Sequence, residues 1–272
     1  MKKGIDISSY EDGLNLGNDL DFVILRAGFT GWGGDGTKKY IDNTFESFYK
    51  QCKDKNIKVG CYWFSCANTY DKGKAEAEFM FNSCLKGKRF EYPIYIDVED
   101  EHHQKNNKRG VTDAIKGFCE YLESKNYYVG IYGSDISTFE EMVYINELDR
   151  YDKWVARYGS KPKYVKSYQM WQYSSTGRYN GYEVDLNECY LEYPTIIMEK
   201  GFNGYGVQKI EYHKGDSNET IEQVDDYLAN EVKGNYFGDY TEATLNVFKK
   251  KHNLSEDSII DNEVLDIMGI KY

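Results

Sequence analysis

Pro93-Ile94-Tyr95-Ile96-Asp97-Val98-Glu99-Asp100 is the most informative stretch of this 272-residue chain. An apolar run of strand length ends abruptly in acids, which reads as a buried strand whose C-terminal end opens onto a polar space. Asp97 and Glu99 stand at i and i+2, so an extended backbone carries both on one face and turns Val98 to the other.

Working outward, runs of the same kind recur at residues 4–7, 22–27, 58–64, 127–132, 153–156, 168–172 and 183–186. Between the early ones lie helical patterns. Phe45, Phe48, Tyr49 and Cys52 follow i, i+3, i+4, i+7, as do Ala77, Met80, Phe81 and Cys84, and again Ile115, Phe118, Cys119 and Leu122. Alternating strands and helices indicate a parallel sheet, and eight strands favour a closed barrel over an open sheet. After Tyr151 the strands follow too closely for crossover helices. The fold class expected is therefore α/β, an irregular (β/α) TIM-like barrel over residues 1–195 that gives up helices for loops in its last third.

Beyond Pro194 the character changes. Residues 196–206 are rich in turn formers and read as a linker. Residues 207–272 carry three short helical patterns, Ile221/Val224/Leu228, Leu245/Phe248 and Val264/Leu265/Met268, with Thr241 and Asp261 as N-caps of the second and third. They predict a second, small three-helix domain.

Two further acids end apolar runs, Asp6 after Gly4-Ile5 and Asp185 after Val184. In a barrel the C-terminal strand ends assemble the site, so Asp6, Asp97, Glu99 and Asp185 are expected on one rim as the catalytic set. Crowded carboxylates push one pKa upward and leave a protonated acid beside ionised neighbours. Glycoside hydrolysis needs that pairing, one group protonating the leaving oxygen and another supporting the oxocarbenium-like centre. The same pattern also admits loop caps at strand ends or a divalent cation held by carboxylates.

The chain resembles the glycoside hydrolase family 25 lysozymes. The resemblance rests on Gly4-Ile5-Asp6-Ile7-Ser8, Gly60-Cys61-Tyr62-Trp63-Phe64, the strand ending Asp97-Val98-Glu99, Gly130-Ile131-Tyr132, Trp154-Val155-Ala156, Met170-Trp171-Gln172-Tyr173 and Val184-Asp185-Leu186-Asn187, in that order. It implies an endolysin-type muramidase cleaving the β-1,4 bond between N-acetylmuramic acid and N-acetylglucosamine in the peptidoglycan of a Gram-positive wall. Glu99 would then be the general acid and Asp97 would orient the substrate's N-acetyl group, with Asp6 and Asp185 tuning the two. Substrate-assisted retention and a direct carboxylate nucleophile both stay open. Tyr62, Tyr132 and Trp171 are candidates for stacking on sugar faces, and Arg26 for pairing with an acid or with substrate. The segment from Gly206 to Leu254, with Phe237-Gly238-Asp239-Tyr240-Thr241 before a helix and Phe248 to Leu254 at its end, resembles a divergent peptidoglycan-binding domain; Lys249 departs from the pattern.

Composition excludes other classes. The net charge is −11, and from Thr195 onward 8 Lys face 15 Asp and Glu. No basic face exists for nucleic acid, and so acidic a tail would not attach by charge to anionic wall polymers. Six cysteines without a CxxC pair read as buried free thiols. No stretch predicts a membrane helix or a signal peptide, so synthesis in the cytoplasm and release to the wall are expected. Glu101-His102-His103 lacks a His-Glu-x-x-His frame, and on an extended segment the two histidines would point apart, so neither a catalytic metal nor any cofactor is expected. Cysteine-peptidase chemistry needs a Cys with a partner histidine in the same domain, where only His102 and His103 stand and read as exposed, so it is not expected; the Asp-rich strand motif of family 18 chitinases is absent. Two readings of different class remain: the muramidase, and a catalytically silent wall-binding protein on the same barrel. The tail is also compatible with a dimerisation module, and Met198 with an internal start.

Overall fold

The computed structural model describes residues 1–31, 36–206, 211–228 and 234–270, and the chain divides into two compact units, Met1–Val207 and Gln208–Tyr272. The first unit is built on nine strands: β1 (Lys2–Ile7), β2 (Phe22–Thr30), β3 (Lys39–Ile41), β4 (Lys58–Phe64), β5 (Ile94–Asp97), β6 (Val129–Ser134), β7 (Asp152–Ala156), β8 (Met170–Tyr179) and β9 (Tyr182–Cys189). Eight of them close a barrel in the order β1-β2-β4-β5-β6-β7-β8-β9, and β3 lies antiparallel on β2 outside the ring.

From β1 to β8 every ring contact is parallel, but β9 runs antiparallel to both its neighbours. This corrects the expectation that Asp185 ends a parallel strand. β8 and β9 form a hairpin around Asn180 and Gly181, whose φ of 46° and 88° suit the tight turn that reverses a strand pair. Asp185 therefore sits within β9, opposite Asp6 of β1. The register of β2 shifts between Arg26 and Gly28. A Cβ on Gly28 would fall 2.3 Å from the Tyr40 carbonyl and 2.4 Å from the Trp63 ring, so only glycine lets β2 change partners from β1 to β3 there.

Helices α1 (Phe45–Asp54), α2 (Tyr70–Met80) and α4 (Lys108–Glu123) follow β3, β4 and β5, with a single turn α3 (Glu101–Gln104) between β5 and α4. Their apolar stripes are the expected ones. Phe45, Phe48 and Cys52 of α1, and Ile115, Phe118, Cys119 and Leu122 of α4, join Val59, Ile94, Ile96, Ile131 and Val155 from the outer strand faces in one cluster. Phe81 and Cys84 lie in a π-helical turn that extends α2. Asp100 caps α3 by accepting from His102 N and His103 N, so the adjacent histidines belong to a helical turn and not to an extended segment.

Inward strand positions form a second cluster of Phe22, Ile24, Tyr95, Tyr132, Trp154, Met170 and Cys189. Tyr193 and Ile197 of α5 (Tyr193–Glu199) join it. The segment expected as a linker is thus part of the first unit. Ile197 and Asn203 are fully buried, and Asn203 accepts from Tyr128 N at 2.7 Å while donating to the Tyr92 carbonyl at 2.9 Å. Its apolar residues Ile197 and Phe202 seal the barrel interior, which explains why turn-rich composition misled. All six cysteines are buried and unpaired.

The second unit packs α6 (Glu219–Tyr227), α7 (Asp239–Lys251) and α8 (Asn262–Met268) with a short pair of strands, β10 (Glu211–Tyr212) and β11 (Ile260–Asp261). Its core holds Ile221, Val224, Leu245, Phe248, Val264, Leu265 and Met268. Asp261 caps α8 through Val264 N. Thr241 is not a cap: α7 begins beyond Gly238, and the Thr241 hydroxyl donates to Asp225 at 2.8 Å. Lys249 is 1% exposed and paired with Asp257 at 2.5 Å, so it belongs to the core of its unit and not to a basic surface. Residues 207–210, where this domain was expected to begin, lie outside the described residues.

Candidate active site

Strand parity builds the site. Tyr95 and Asp97 share the inward face of β5, as do Met170 and Gln172 on β8, and Asp185, Asn187 and Cys189 on β9. The large inward rings make a floor, and the polar residues one step further along lie above it. Val98 N still donates to the Tyr132 carbonyl at 3.1 Å. The extended geometry therefore continues past the end of β5 and delivers Glu99 beside Asp97.

Asp6, Asp97, Glu99 and Asp185 line a cleft of about 490 Å³ together with Arg26 and Tyr62. Asp6 and Asp97 are buried, Asp185 is half-buried and Glu99 opens to solvent. Burial pushes Asp97 well above the usual carboxylate range, reinforced by the Glu99 and Asp6 charges and opposed by Arg26. Its Oδ1 is buried without a hydrogen-bond partner among the described residues. Glu99 is raised to about 7, first by the protein walls that replace water around it and then by the Asp185 charge. A concave cleft reconciles its exposed surface with that loss of solvation: water reaches the carboxyl from one side only.

Asp6 is raised well above its ordinary value by burial and by Asp185, and Asp185 is raised to about 6 by burial and by Glu11. Two amides stand between these acids and the floor. Gln172 Nε2 donates to Asp6 and to Asp185, each at 3.0 Å, and Asn187 Nδ2 donates to Asp6 at 2.6 Å. Trp154 Nε1, which can only donate, holds Asn187 Oδ1 at 2.8 Å and so turns the amide nitrogen toward Asp6. The hydroxyls of Tyr132 and Tyr158 donate to Gln172 Oε1 at 2.9 and 3.1 Å and orient that amide likewise.

Of the residues expected to bind substrate, Tyr62 and Arg26 line the cleft. Arg26 is already engaged, its Nε 2.7 Å from buried Asp42 and its Nη2 2.7 Å from Ser9 Oγ. Tyr132 is not on the cleft wall. It is buried against Trp154 with ring centroids 4.3 Å apart, and it acts through Gln172. Trp171 is not on the wall either: it takes the opposite parity to Gln172, stacks near Tyr173 and donates to the Arg157 carbonyl at 2.7 Å. Gln172, Asn187, Trp154 and Tyr158 were missed as site residues. The i, i+2 rule applied to Asp97 and Glu99 also pairs Asp185 with Asn187 and Met170 with Gln172, so the signal was present. Among the described residues, Cys66, Asp100 and His103 bring possible metal-ligand atoms within 4.8 Å of one another, one residue beyond Glu99.

A model of Glycosyl hydrolases family 25 matches residues 5–182. The chain is 28% identical over 214 residues to an autolytic lysozyme of Clostridium acetobutylicum, an alignment covering 74% of this chain and 61% of that protein. Among solved structures, the CTP1L endolysin superposes with a TM-score of 0.61 at 22% identity, covering 84% of this chain and 80% of that one. The catalytic domain of endolysin ply40, from bacteriophage P40 of Listeria monocytogenes, gives 0.58 at 24% identity over 74% and 98% of the two chains. A family 25 glycosyl hydrolase from Bacillus anthracis gives 0.59 at 22% identity over 75% and 94%. At these identities the superpositions speak to the fold alone.

Proposed function

Because the chain belongs to Glycosyl hydrolases family 25, we propose that it hydrolyses the β-1,4 bond between N-acetylmuramic acid and N-acetylglucosamine in the peptidoglycan of a Gram-positive wall. The observation that carries the reading is the pair at the end of β5. Glu99 stands open to the cleft with its carboxyl at about 7, beside a buried Asp97 whose Oδ1 has no partner among the described residues. A carboxyl near 7 keeps a proton to give at neutral pH and is ready to take one back.

Glu99 protonates the glycosidic oxygen as the bond to the anomeric carbon breaks. Asp97 Oδ1 is an acceptor awaiting a donor, and the N–H of a 2-acetamido group is one. That contact turns the acetamido oxygen toward the anomeric carbon as positive charge develops there. Asp6 and Asp185, fixed by Gln172 and Asn187, set the charge that Asp97 and Glu99 experience. Asp6 and Asp185 also hold the sugar, with Tyr62 offering an aromatic edge in the cleft wall. The second unit directs the enzyme to the wall by recognition of shape, since its acidic surface repels anionic polymers. No helix among the described residues is long and apolar enough to cross a membrane.

The deciding experiment is digestion of purified Gram-positive peptidoglycan, followed by borohydride reduction and mass spectrometry, with Glu99→Gln alongside. Reduced muramic-acid ends that vanish in the variant support the proposal. Reduced glucosamine ends overturn the bond assignment. Free stem peptides on intact glycan overturn the glycosidase, and wall binding with no cleavage gives the silent-binder reading instead.

A further inference from the structure

Immediately past Glu99 stands a cluster that hydrolysis does not use. Cys66, just beyond β4, Asp100 and His103 bring a sulfur, a carboxylate oxygen and a ring nitrogen within 4.8 Å of one another. Cys66 is fully buried, and the side chains of Asp100 and His103 are 8% and 9% exposed. His103 Nδ1 is 2.5 Å from Asp100 Oδ2, and the Cys66 thiol, which donates to the Thr30 carbonyl at 3.4 Å, lies against the same carboxylate.

Two features distinguish this cluster from an ordinary buried polar patch. His103 Nε2 is buried with no hydrogen-bond partner among the described residues, while the Asp100 carboxylate holds the ring proton on Nδ1; a shift of that proton to Nε2 frees the Nδ1 lone pair for a metal. The donors are also placed in advance on braced segments. Asp100 and His103 are one helical turn apart on α3, and Gln104 Nε2 donates to the carbonyls of Ser65 and Ala67, at 3.2 and 3.0 Å, on either side of Cys66. Thiolate, imidazole and carboxylate are the donor set of zinc, and three protein ligands leave one tetrahedral position for solvent.

We propose that Cys66, Asp100 and His103 are the three protein ligands of a bound Zn²⁺. On binding, the thiol S–H breaks, sulfur keeps the electron pair and gives it to the metal, and the proton leaves to solvent. The imidazole contributes a lone pair without net proton loss. The ion ties the turn that follows Glu99 to the chain beyond β4, so it stabilises the fold next to the site without entering the reaction.

The test uses the full chain stripped with a chelator and titrated with Zn²⁺ alone by calorimetry. One ion should bind per chain, with proton release that depends on the buffer, and the melting temperature should rise with zinc. Cys66→Ser and His103→Ala should each weaken binding by at least about tenfold, while His213→Ala in the second unit leaves it unchanged. Co²⁺ titrated into the wild-type chain supplies a readout that needs no variant. A sulfur-to-cobalt charge-transfer band is expected, and none of the other five cysteines belongs to such a cluster among the described residues. No cobalt–sulfur band, or zinc binding that survives both substitutions, overturns the site.

Discussion

Asp6 and Asp185 face each other across the β1–β9 pair and share one donor, the amide nitrogen of Gln172, at 3.0 Å from each. The amide nitrogen has one N–H for each acid, but two buried carboxyls so close cannot both ionise cheaply, and for Asp6 the amide opposes the rise that burial and Asp185 impose. Gln172→Leu removes the donor, which lowers the Asp6 pKa. Turnover should fall by roughly ten- to hundredfold, the equivalent of a ~1.5–3 kcal/mol hydrogen bond to a charged group. The acidic limb of the pH–rate profile should move upward. Full activity on an unshifted profile would remove Gln172 from the site.

The pH dependence of the wild type follows from two carboxyls. Glu99 must hold its proton to act as acid, so activity should decline as pH rises through about 7. Asp185 must be ionised to keep the charge balance, so activity should also decline as pH falls through about 6. A narrow bell is expected from release of soluble muropeptides between pH 4 and 9. Glu99→Gln should cost about 10²–10⁴ in rate and, because the folded chain holds the Glu99 proton above its ordinary range, should melt no lower than wild type at pH 7. A rate still rising at pH 9 would deny Glu99 the acid role.

Asp97 is held against its ionised form, and this has a stability cost with a definite sign. The unfolded chain releases the proton near an ordinary ~3.9, whereas the folded chain keeps it to higher pH. Between those two points the native state binds more protons than the unfolded one, so stability falls as pH rises. Asp97→Asn should therefore melt higher than wild type at pH 7, by a margin that narrows at pH 5, while losing activity. Calorimetry showing an unchanged or lower melting temperature at pH 7 would contradict the burial argument.

Behind the cleft, the Glu76 carboxylate accepts from Thr30 Oγ1 at 2.6 Å, Ser65 Oγ at 2.5 Å and Cys66 N at 3.2 Å. It pins α2 to the ends of β2 and β4. Glu76→Leu keeps much of the volume but strands three buried donors, so it should destabilise by at least ~3 kcal/mol. Denaturant unfolding with a loss under ~1 kcal/mol would mean that those donors find other partners.

The second unit has its own core, so its contribution can be removed separately. Leu245 is fully buried there, and Leu245→Ala should cost about 2–5 kcal/mol, enough to unfold a unit of that size. Sedimentation with whole walls should drop while cleavage of soluble glycan oligomers persists. Equal losses in both assays would mean that the second unit does more than deliver the enzyme.

Much of this architecture is legible in the sequence because its two layers obey parity. Ile94 and Ile96 face the helices while Tyr95 and Asp97 face inward, and the same rule places Asp6, Asp97 and Glu99 together. Parity holds for amides as well as acids: Gln172 and Asn187 face inward, while Trp171, adjacent to Gln172, takes the opposite face. The direction of β9 depends on the Asn180-Gly181 turn, a local signal that outweighs the strand spacing. Residues 196–206 resembled a linker because three Gly and an Asn crowd into the last six of them. Asn203 is there to satisfy backbone groups of other segments, which no local pattern announces.

The reversed strand that closes the barrel has a temporal meaning as well as a spatial one. Asn187 reaches Asp6 across 181 residues of chain, and Asp185 meets it in the same seam. While a nascent chain is shorter than that, Asp97 and Glu99 can already exist, but the wall of the cleft that sets their charge cannot. The cleft is thus complete only when nearly the whole barrel has left the ribosome and its first and last strands have met.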